Sequence, residues 1–309
     1  MKYIFGPVPS RRLGFSLGVD LLPPKTCNMD CVYCELGRTK EKSLSAPSSP
    51  PWQDVFNEIQ EYVSQGRGFD CLTLTASGEP TLYEDLYPLI YNIKKFIEKP
   101  VTVLTNSSTA DQEQVRKALC MADLVLPSLD AATQQTFRKI NRPHPALDIM
   151  KIIQGLATLR REMKGKMWLE ILFVRGINDT EEELKALKEA VSTINPHKIQ
   201  LNTVVRPPAE SWASPISSKK MAEIKAFFGE KAEIVIDFEA QMRKGVGLIL
   251  ESEIVDTLKR RPLTPQDLEG LFGEYKDTNK VLNRLLHQGV VKKKQIHNRT
   301  FYVAETGAA

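Results

Sequence analysis

Short apolar runs of strand type alternate with amphipathic helical patterns from residue 17 to about residue 236. The predicted strands lie at 17–22, 71–75, 101–105, 124–128, 167–174 and 198–205, with a weaker one at 232–236. The predicted helices lie between them, near 52–65, 84–98, 111–121, 146–163, 180–194 and 217–228. Such alternation is typical of parallel strands joined by crossover helices, in an open sheet or a barrel. About six units are fewer than the eight of a complete barrel. The pattern therefore predicts an α/β fold.

The pattern changes after residue 236. The segments "ESEIVDTLKRR", "TPQDLEGLF" and "DTNKVLNRLLHQG" predict three short helices, and "VVKKKQIHNRTFYVA" predicts a hairpin around His297, Asn298 and Arg299. Three helices followed by a two-stranded wing are the outline of a small winged helix-turn-helix domain. We therefore expect two domains, at 1–240 and 250–305.

Composition and charge exclude several classes of protein. The charged fraction of 26% and the apolar fraction of 42% are those of a globular protein, and the formal charge of +4 permits a polyanionic partner without requiring one. The N-terminal segment has no signal-peptide core, and no apolar run approaches the roughly 20 residues of a membrane-spanning helix. We expect a cytoplasmic protein without a membrane partner.

Three of the five cysteines are close together, and the other two, Cys71 and Cys120, are isolated in apolar or helical patterns. An odd, clustered set does not suit a disulfide framework, so reduced thiols are expected. Cys27, Cys31 and Cys34 follow the first predicted strand in a loop. Three thiolates can hold a cubane iron–sulfur cluster with one exposed iron. The alternatives are a zinc site completed by a distant His, or thiols with no ligand role.

A second motif, "SGEPTL", ends the next predicted strand. Gly78 allows a close backbone approach there, and Pro80 favours an extended Glu79. With these two motifs the sequence resembles radical S-adenosylmethionine (SAM) enzymes over residues 10 to 236. Within that superfamily it resembles the group related to wyosine-type tRNA-modifying enzymes. The other matching segments are "GPVPSRRLGFSLGVDLLPPKTCNMDCVYCELGRT", "VTVLTNSS", "LVLPSLDA" and "LNTVVRPP".

The resemblance implies a partial (β/α)6 radical SAM barrel and two cofactors, SAM and a [4Fe–4S] cluster held by Cys27, Cys31 and Cys34. SAM would bind the open iron through its amino and carboxylate groups. The residues implied to bind SAM are Tyr33 near the adenine, Gly78 and Glu79 at the methionine ammonium, and Asn106, Ser128 and Asp130 at the carboxylate or ribose. For the last three, turn capping is the alternative. Asn202 and Arg206 would face cofactor or substrate.

The implied reaction is reductive cleavage of SAM to methionine and a 5′-deoxyadenosyl radical, which takes a hydrogen from a substrate. An RNA or a peptide is the expected substrate, and the partner is a one-electron reductant such as a flavodoxin or ferredoxin. Wyosine-forming relatives carry a second cysteine triad upstream, whereas none of the 26 residues before Cys27 is a cysteine. We therefore expect a different reaction. The alternative function is an iron–sulfur DNA-binding regulator that senses redox state or oxygen.

Two basic segments each allow more than one interpretation. Arg11 and Arg12 suit recognition of phosphate or carboxylate groups, although solvated arginines are more common. The polar face of the last predicted helix suits a DNA groove, and "KKK" at 292–294 with Arg299 suits phosphate contacts. That face comprises Asn279, Lys280, Asn283, Arg284 and His287. The terminal domain could bind nucleic acid, dock a peptide or protein, or serve as a scaffold.

Overall fold

A computed structural model of the chain describes residues 1–10, 12–46, 48–235, 251–272, 275–296 and 299–304. Arg11, residues 236–250 (which include the end of the weaker predicted strand), and His297 and Asn298 in the predicted hairpin lie outside these ranges.

An eight-stranded sheet forms the larger part of the protein, and its strands are ordered as they occur along the chain. The strands are β1 (Ile4–Ser10), β2 (Gly14–Asp20), β3 (Cys71–Thr75), β4 (Val101–Thr105), β5 (Leu124–Pro127), β6 (Lys166–Phe173), β7 (Lys198–Thr203) and β8 (Ala232–Ile234). β1 pairs antiparallel with β2, and every later neighbour pair is parallel. The sheet runs from β1 to β8 without joining its ends. The predicted α/β fold is therefore confirmed.

Within the described ranges, seven α-helices connect the parallel strands. They are α1 (Trp52–Ser64), α2 (Leu86–Phe96), α3 (Glu113–Leu119), α4 (Gln134–Ile140), α5 (Ile149–Glu162), α6 (Glu181–Ile194) and α7 (Ser218–Phe228). The predicted start of α6 is confirmed, since Thr180 caps it by accepting a hydrogen bond from the Glu183 backbone N–H. Strand β1 and helix α4 were not predicted.

The C-terminal segment contains α8 (Glu251–Arg260), α9 (Pro265–Phe272) and α10 (Tyr275–His287), followed by an antiparallel pair, β9 (Val291–Ile296) and β10 (Arg299–Ala304). These elements occur in the predicted order. Their side chains form a separate apolar cluster that includes Ile254 and Leu285 and also takes in Phe5 and Val8 of β1. The terminal helices therefore pack against the edge strand of the large sheet.

The main core lies between the sheet and helices α1–α7. Strands β3 and β5 are buried along almost their whole length, which explains why neither contains a charged residue. In the described part of the chain, no helix combines the length and apolar character needed to cross a membrane.

Candidate functional site

The cysteine loop, residues 21–50, follows the carboxyl end of β2 and is fixed to two other parts of the barrel. Lys25 N–H donates to the Ser77 carbonyl (2.5 Å), and Glu79 N–H donates to the Thr26 carbonyl (2.9 Å). Farther along, Val32 N–H donates to the Ile140 carbonyl at the end of α4 (2.9 Å). The loop is therefore held by the segment after β3 on one side and by α4 on the other.

Cys27, Cys31 and Cys34 are free, partly buried thiols. Each accepts a hydrogen bond from a different N–H donor: Asn106 Nδ2 for Cys27 (3.6 Å), Asn141 Nδ2 for Cys31 (3.4 Å) and Lys25 Nζ for Cys34 (3.6 Å). Burial, with the nearby Glu79 charge, raises the pKa of Cys27 to about 12. Burial also raises the pKa of Cys31 well above its usual range. These pKa values apply without a bound metal, which would favour the thiolates.

Gly78 and Glu79 lie against the cysteine loop. A Cβ on residue 78 would stand 1.8 Å from the Thr26 carbonyl oxygen, so the close approach expected of Gly78 is confirmed. Glu79 Oε1 accepts from Thr81 N–H (3.1 Å), Thr81 Oγ1 (2.6 Å) and Thr105 Oγ1 (2.6 Å), while Oε2 accepts from Asn106 N–H (2.6 Å). Burial raises the pKa of Glu79, and these donors oppose the rise.

Asp130 lies after β5 and is hydrogen-bonded through both carboxylate oxygens. Tyr33 Oη and Asn141 Nδ2 donate to Oδ2, the latter over 2.8 Å, and Leu172 N–H donates to Oδ1 (2.9 Å). Burial raises the pKa of Asp130 to about 6, although the bonds from Tyr33 and Asn141 lower it. Asp130 therefore connects Tyr33 to Asn141, the residue that donates to Cys31.

One cavity of about 420 Å³ is lined by all the site residues named from the sequence. They are Cys27, Cys31, Tyr33, Cys34, Gly78, Glu79, Asn106, Ser128, Asp130, Asn202 and Arg206. Its volume falls within the range of roughly 300–1,000 Å³ typical of small-molecule sites. The cavity lies where the parallel strands end, the usual position of ligands in such sheets. Arg206 also pairs with Glu35, the residue after Cys34 (2.6 Å).

The family model of the radical SAM superfamily matches residues 21–188, a span that contains the cysteine loop and the "SGEPTL" motif. The chain belongs to the radical SAM superfamily. It is therefore an enzyme, and its cofactors are SAM and an iron–sulfur cluster of the [4Fe–4S] type.

Two curated relatives match nearly the whole chain. A UPF0026 protein of Methanocaldococcus jannaschii is 32% identical over 313 residues, covering 98% of this chain and 96% of its own length. A protein of Brachyspira hyodysenteriae named GTPase Obg is 35% identical over 305 residues, covering 97% of this chain. The chain spans only 45% of that relative's length.

A solved radical SAM methyltransferase from Sphaerobacter thermophilus has a similar fold, with a TM-score of 0.53. It is 16% identical, and the match covers 72% of this chain and 67% of the methyltransferase. At this identity the likeness supports the fold alone.

The donor set of this radical SAM enzyme fits a cubane better than a single metal ion. Among the described residues, no group of three or more His, Cys, Asp or Glu side chains is arranged to hold one ion. A cubane instead binds each thiolate through a separate iron, so its thiolates need not converge on one point. The three thiols around one cavity therefore fit the cofactor.

Four residues of the radical SAM site were not identified from the sequence: Lys25, Asn28, Asn141 and Arg260. Asn28 Nδ2 donates to Ser108 Oγ (2.7 Å), and its Oδ1 accepts from Asn106 (3.0 Å). Arg260 of α8 contacts Asp20 at the end of β2 (2.8 Å). Lys25 could have been identified from the sequence, because it lies next to the cysteine motif. Asn141 could not, because it follows helix α4, which was not predicted.

Arg12 is not a solvated surface residue. Its side chain is only 17% exposed and lines the cavity, where it forms an ion pair with Glu170 of β6. The interpretation of this arginine as merely solvated is therefore wrong.

The polar face of α10 is less available for contacts with a nucleic acid than the sequence predicts. Arg284 donates to Glu251 of α8 through Nε (3.2 Å) and Nη2 (2.7 Å), which neutralises one of the cations assigned to groove contacts. Lys292, Lys293 and Lys294 of β9 are exposed, as predicted for a charged wing.

Proposed function

We propose that Cys27, Cys31 and Cys34 hold the [4Fe–4S] cluster and that the chain cleaves SAM reductively. When bound, the cluster would supply the electron, taken from an external reductant, that splits SAM into methionine and a 5′-deoxyadenosyl radical, and this radical would take a hydrogen atom from the substrate. The observation that carries the proposal is the placement of three free thiols, each with its own N–H donor, around one cavity with Glu79.

The surrounding residues would orient SAM rather than react with it. Glu79 Oε2 accepts one hydrogen bond, from Asn106 N–H, so it retains capacity to accept a second from the methionine ammonium. Gly78 places the Glu79 backbone against the cysteine loop. Tyr33 would contact the adenine, while Asn106, Ser128, Asp130 and Asn202 would contact other parts of SAM.

The test is anaerobic turnover of the reconstituted protein. With dithionite and SAM, the wild-type chain should release 5′-deoxyadenosine, and Cys31→Ala should abolish the product and reduce bound iron. Cys120→Ala is the matched control, because Cys120 is a partly exposed thiol at the end of α3 that does not line the cavity.

Failure of the wild-type protein to cleave SAM while it holds a cluster would contradict the proposal. Cluster-dependent DNA binding by such a protein would favour the alternative of a redox- or oxygen-sensing regulator. A flavodoxin or ferredoxin is proposed as the natural reductant, and either should replace dithionite in the same assay.

We further propose that α8–α10 and the β9–β10 pair form a winged-helix domain that binds RNA. The support is the element order, and three consecutive exposed lysines on β9 that could contact phosphates. Among the described residues, the large exposed apolar side chains all lie outside 251–304, which disfavours a peptide groove.

The RNA proposal predicts salt-dependent binding. Changing Lys292, Lys293 and Lys294 to Gln should weaken RNA binding and reduce its salt dependence, whereas changing the exposed Lys117 and Lys185 should not. Salt-insensitive capture of a peptide would instead favour a peptide substrate.

A further inference from the structure

The cavity extends beyond the cysteines to a second wall near the N-terminal strands. This wall includes Phe5 and Val8 of β1, Leu13 of the β1–β2 turn, and Arg12. Glu170 of β6 and Arg260 of α8 line the same cavity. The cavity therefore extends beyond the region around the three thiols, and both apolar and charged side chains line its other end.

Arg12 is held in one orientation on this wall. Its Nη1 donates to Glu170 on β6 and to Gln200 Oε1 on β7 (3.2 Å). Glu170 and Gln200 face each other in the parallel register of these strands, so the two acceptors are themselves fixed by the sheet. The guanidinium of Arg12 therefore reaches from the β1–β2 turn to the opposite strands of the partial barrel.

The Nε and Nη2 groups of this guanidinium are available as hydrogen-bond donors. Both hydrogen bonds of the side chain use Nη1, and within the described ranges Nε and Nη2 have no acceptor. The Nε–H and Nη2–H bonds point in nearly the same direction, and this pair can bind a carboxylate or phosphate through two parallel hydrogen bonds. Because Glu170 and Gln200 already orient the group, little side-chain entropy would be lost on binding.

We propose that Arg12 is a subsite for an oxyanion of the substrate, a carboxylate or a phosphate, bound through Nε and Nη2. This inference rests on the proposed function, because it assigns a substrate group to the same cavity. Glu170 and Gln200 act as positioning residues for Arg12. The apolar side chains of Phe5, Val8 and Leu13 would contact the part of the substrate next to the anion.

The test uses three ring compounds that differ in one group: phenyl phosphate, benzoate and the neutral benzamide. Binding to the full-length reconstituted protein is measured by calorimetry at constant ionic strength, with SAM present. The wild type should bind at least one of the two anions at least tenfold more tightly than benzamide. The preferred anion distinguishes a phosphate-bearing from a carboxylate-bearing substrate.

Arg12→Gln should weaken binding of that anion at least tenfold, which corresponds to about 1.4 kcal/mol. Arg12→Lys should also weaken it, because an ammonium lacks the two-donor edge. Glu170→Gln should tighten it, because Arg12 keeps an acceptor for Nη1 while a competing negative charge is removed. Arg161→Gln, on the exposed face of α5, is the control and should leave binding unchanged.

Loss of Arg12 leaves Glu170 partly buried and unpaired, and the protein could then fold poorly. The double variant Arg12→Gln/Glu170→Gln removes that carboxylate and should fold while still failing to bind the anion. Anion affinity in this folded double variant equal to that of wild type would overturn the proposal. Equal affinities of the wild type for benzamide and both anions would do the same.

Loss of SAM binding in the folded double variant would also overturn the proposal, because Arg12 would then belong to the SAM site. The binding assay needs no SAM cleavage, so its outcome is distinguishable from a wild-type protein that forms no 5′-deoxyadenosine.

Discussion

The carbonyl oxygen of Thr26 lies so close to Gly78 that a Cβ on residue 78 would stand 1.8 Å from it. The Cβ is fixed to the backbone of residue 78 and the carbonyl belongs to the backbone of Thr26, so side-chain rotation cannot relieve the collision. The hydrogen bond from Glu79 N–H to the same carbonyl would be broken. We expect Gly78→Ala to displace the cysteine loop and to prevent cluster assembly, while the barrel remains folded. Iron and sulfide per chain after reconstitution, with far-ultraviolet circular dichroism, would check this.

Gly66→Ala is the control for Gly78→Ala. Gly66 has a φ of +68° and no neighbour within 4 Å of an added Cβ, so alanine there costs backbone strain of about 1 kcal/mol without a collision. Gly66→Ala should retain a full complement of iron. A normal cluster in Gly78→Ala would show that the close approach is not needed.

The three N–H donors to sulfur should raise the reduction potential of the cluster. Reduction adds negative charge, which N–H groups and the Lys25 cation stabilise. Lys25→Met and Asn141→Ala should each shift the potential to more negative values, by up to about 59 mV, equivalent to a tenfold change in the one-electron equilibrium. A redox titration followed by electron paramagnetic resonance would measure the shift.

Lys40→Met is the control that distinguishes the effect of losing a nearby positive charge from the effect of losing the hydrogen bond between Lys25 and Cys34. Lys40 is an exposed cation in the same loop, and it makes none of the observed hydrogen bonds to the three thiols. Its removal should leave the potential nearly unchanged. An equal shift in Lys40→Met and Lys25→Met would assign the effect to general charge and not to the bond with Cys34.

Arg260 connects the terminal helices to the "SGEPTL" motif after β3. Its Nε donates to Asp20 Oδ2 (2.8 Å), and the same carboxylate accepts from Ser77 N–H and Ser77 Oγ (both 2.7 Å), next to Gly78. The two side chains are 16% and 9% exposed. Arg260→Ala should therefore destabilise the protein by about 3 kcal/mol and weaken SAM binding, because it leaves a buried carboxylate unpaired.

Urea unfolding and calorimetric SAM titration would test the Arg260 prediction. The double variant Asp20→Asn/Arg260→Ala removes the unpaired charge and should recover part of the lost stability. If Arg260→Ala has wild-type stability and SAM affinity, the terminal helices do not influence the site through Asp20.

The parallel strands were predictable because strands buried on both faces are rich in apolar and β-branched residues and contain no charged ones, as in "CLTLT" and "VTVLT". β1 was not, since "IFGPVPS" contains Gly6 and two prolines, and its pairing with β2 shifts register between Phe5 and Val8. Helix α4 has seven residues, of which only Phe137 and Ile140 are buried. Neither element has enough periodic positions to predict it without the tertiary packing.

The site residues were predictable where they follow strands, because the carboxyl ends of parallel strands meet at one edge. This rule brings the residues after β2, β3, β4 and β5 together. The same rule does not identify Asn141, which follows a helix, or Arg260, which is 240 residues away from its partner Asp20 along the chain. Arg12 lies at the opposite end of β2, and only the structure shows that it reaches Glu170.

Gly18 of β2 provides the last prediction. A Cβ on Gly18 would lie 2.2 Å from the ring of Phe5, its partner in β1. Phe5 also belongs to the apolar cluster of the terminal helices, so displacement of its ring should loosen α8 from the sheet. We expect Gly18→Ala to increase hydrogen exchange in 251–260 and to leave exchange in α5 unchanged. Unaltered exchange in 251–260 would mean that the terminal helices are held without Phe5.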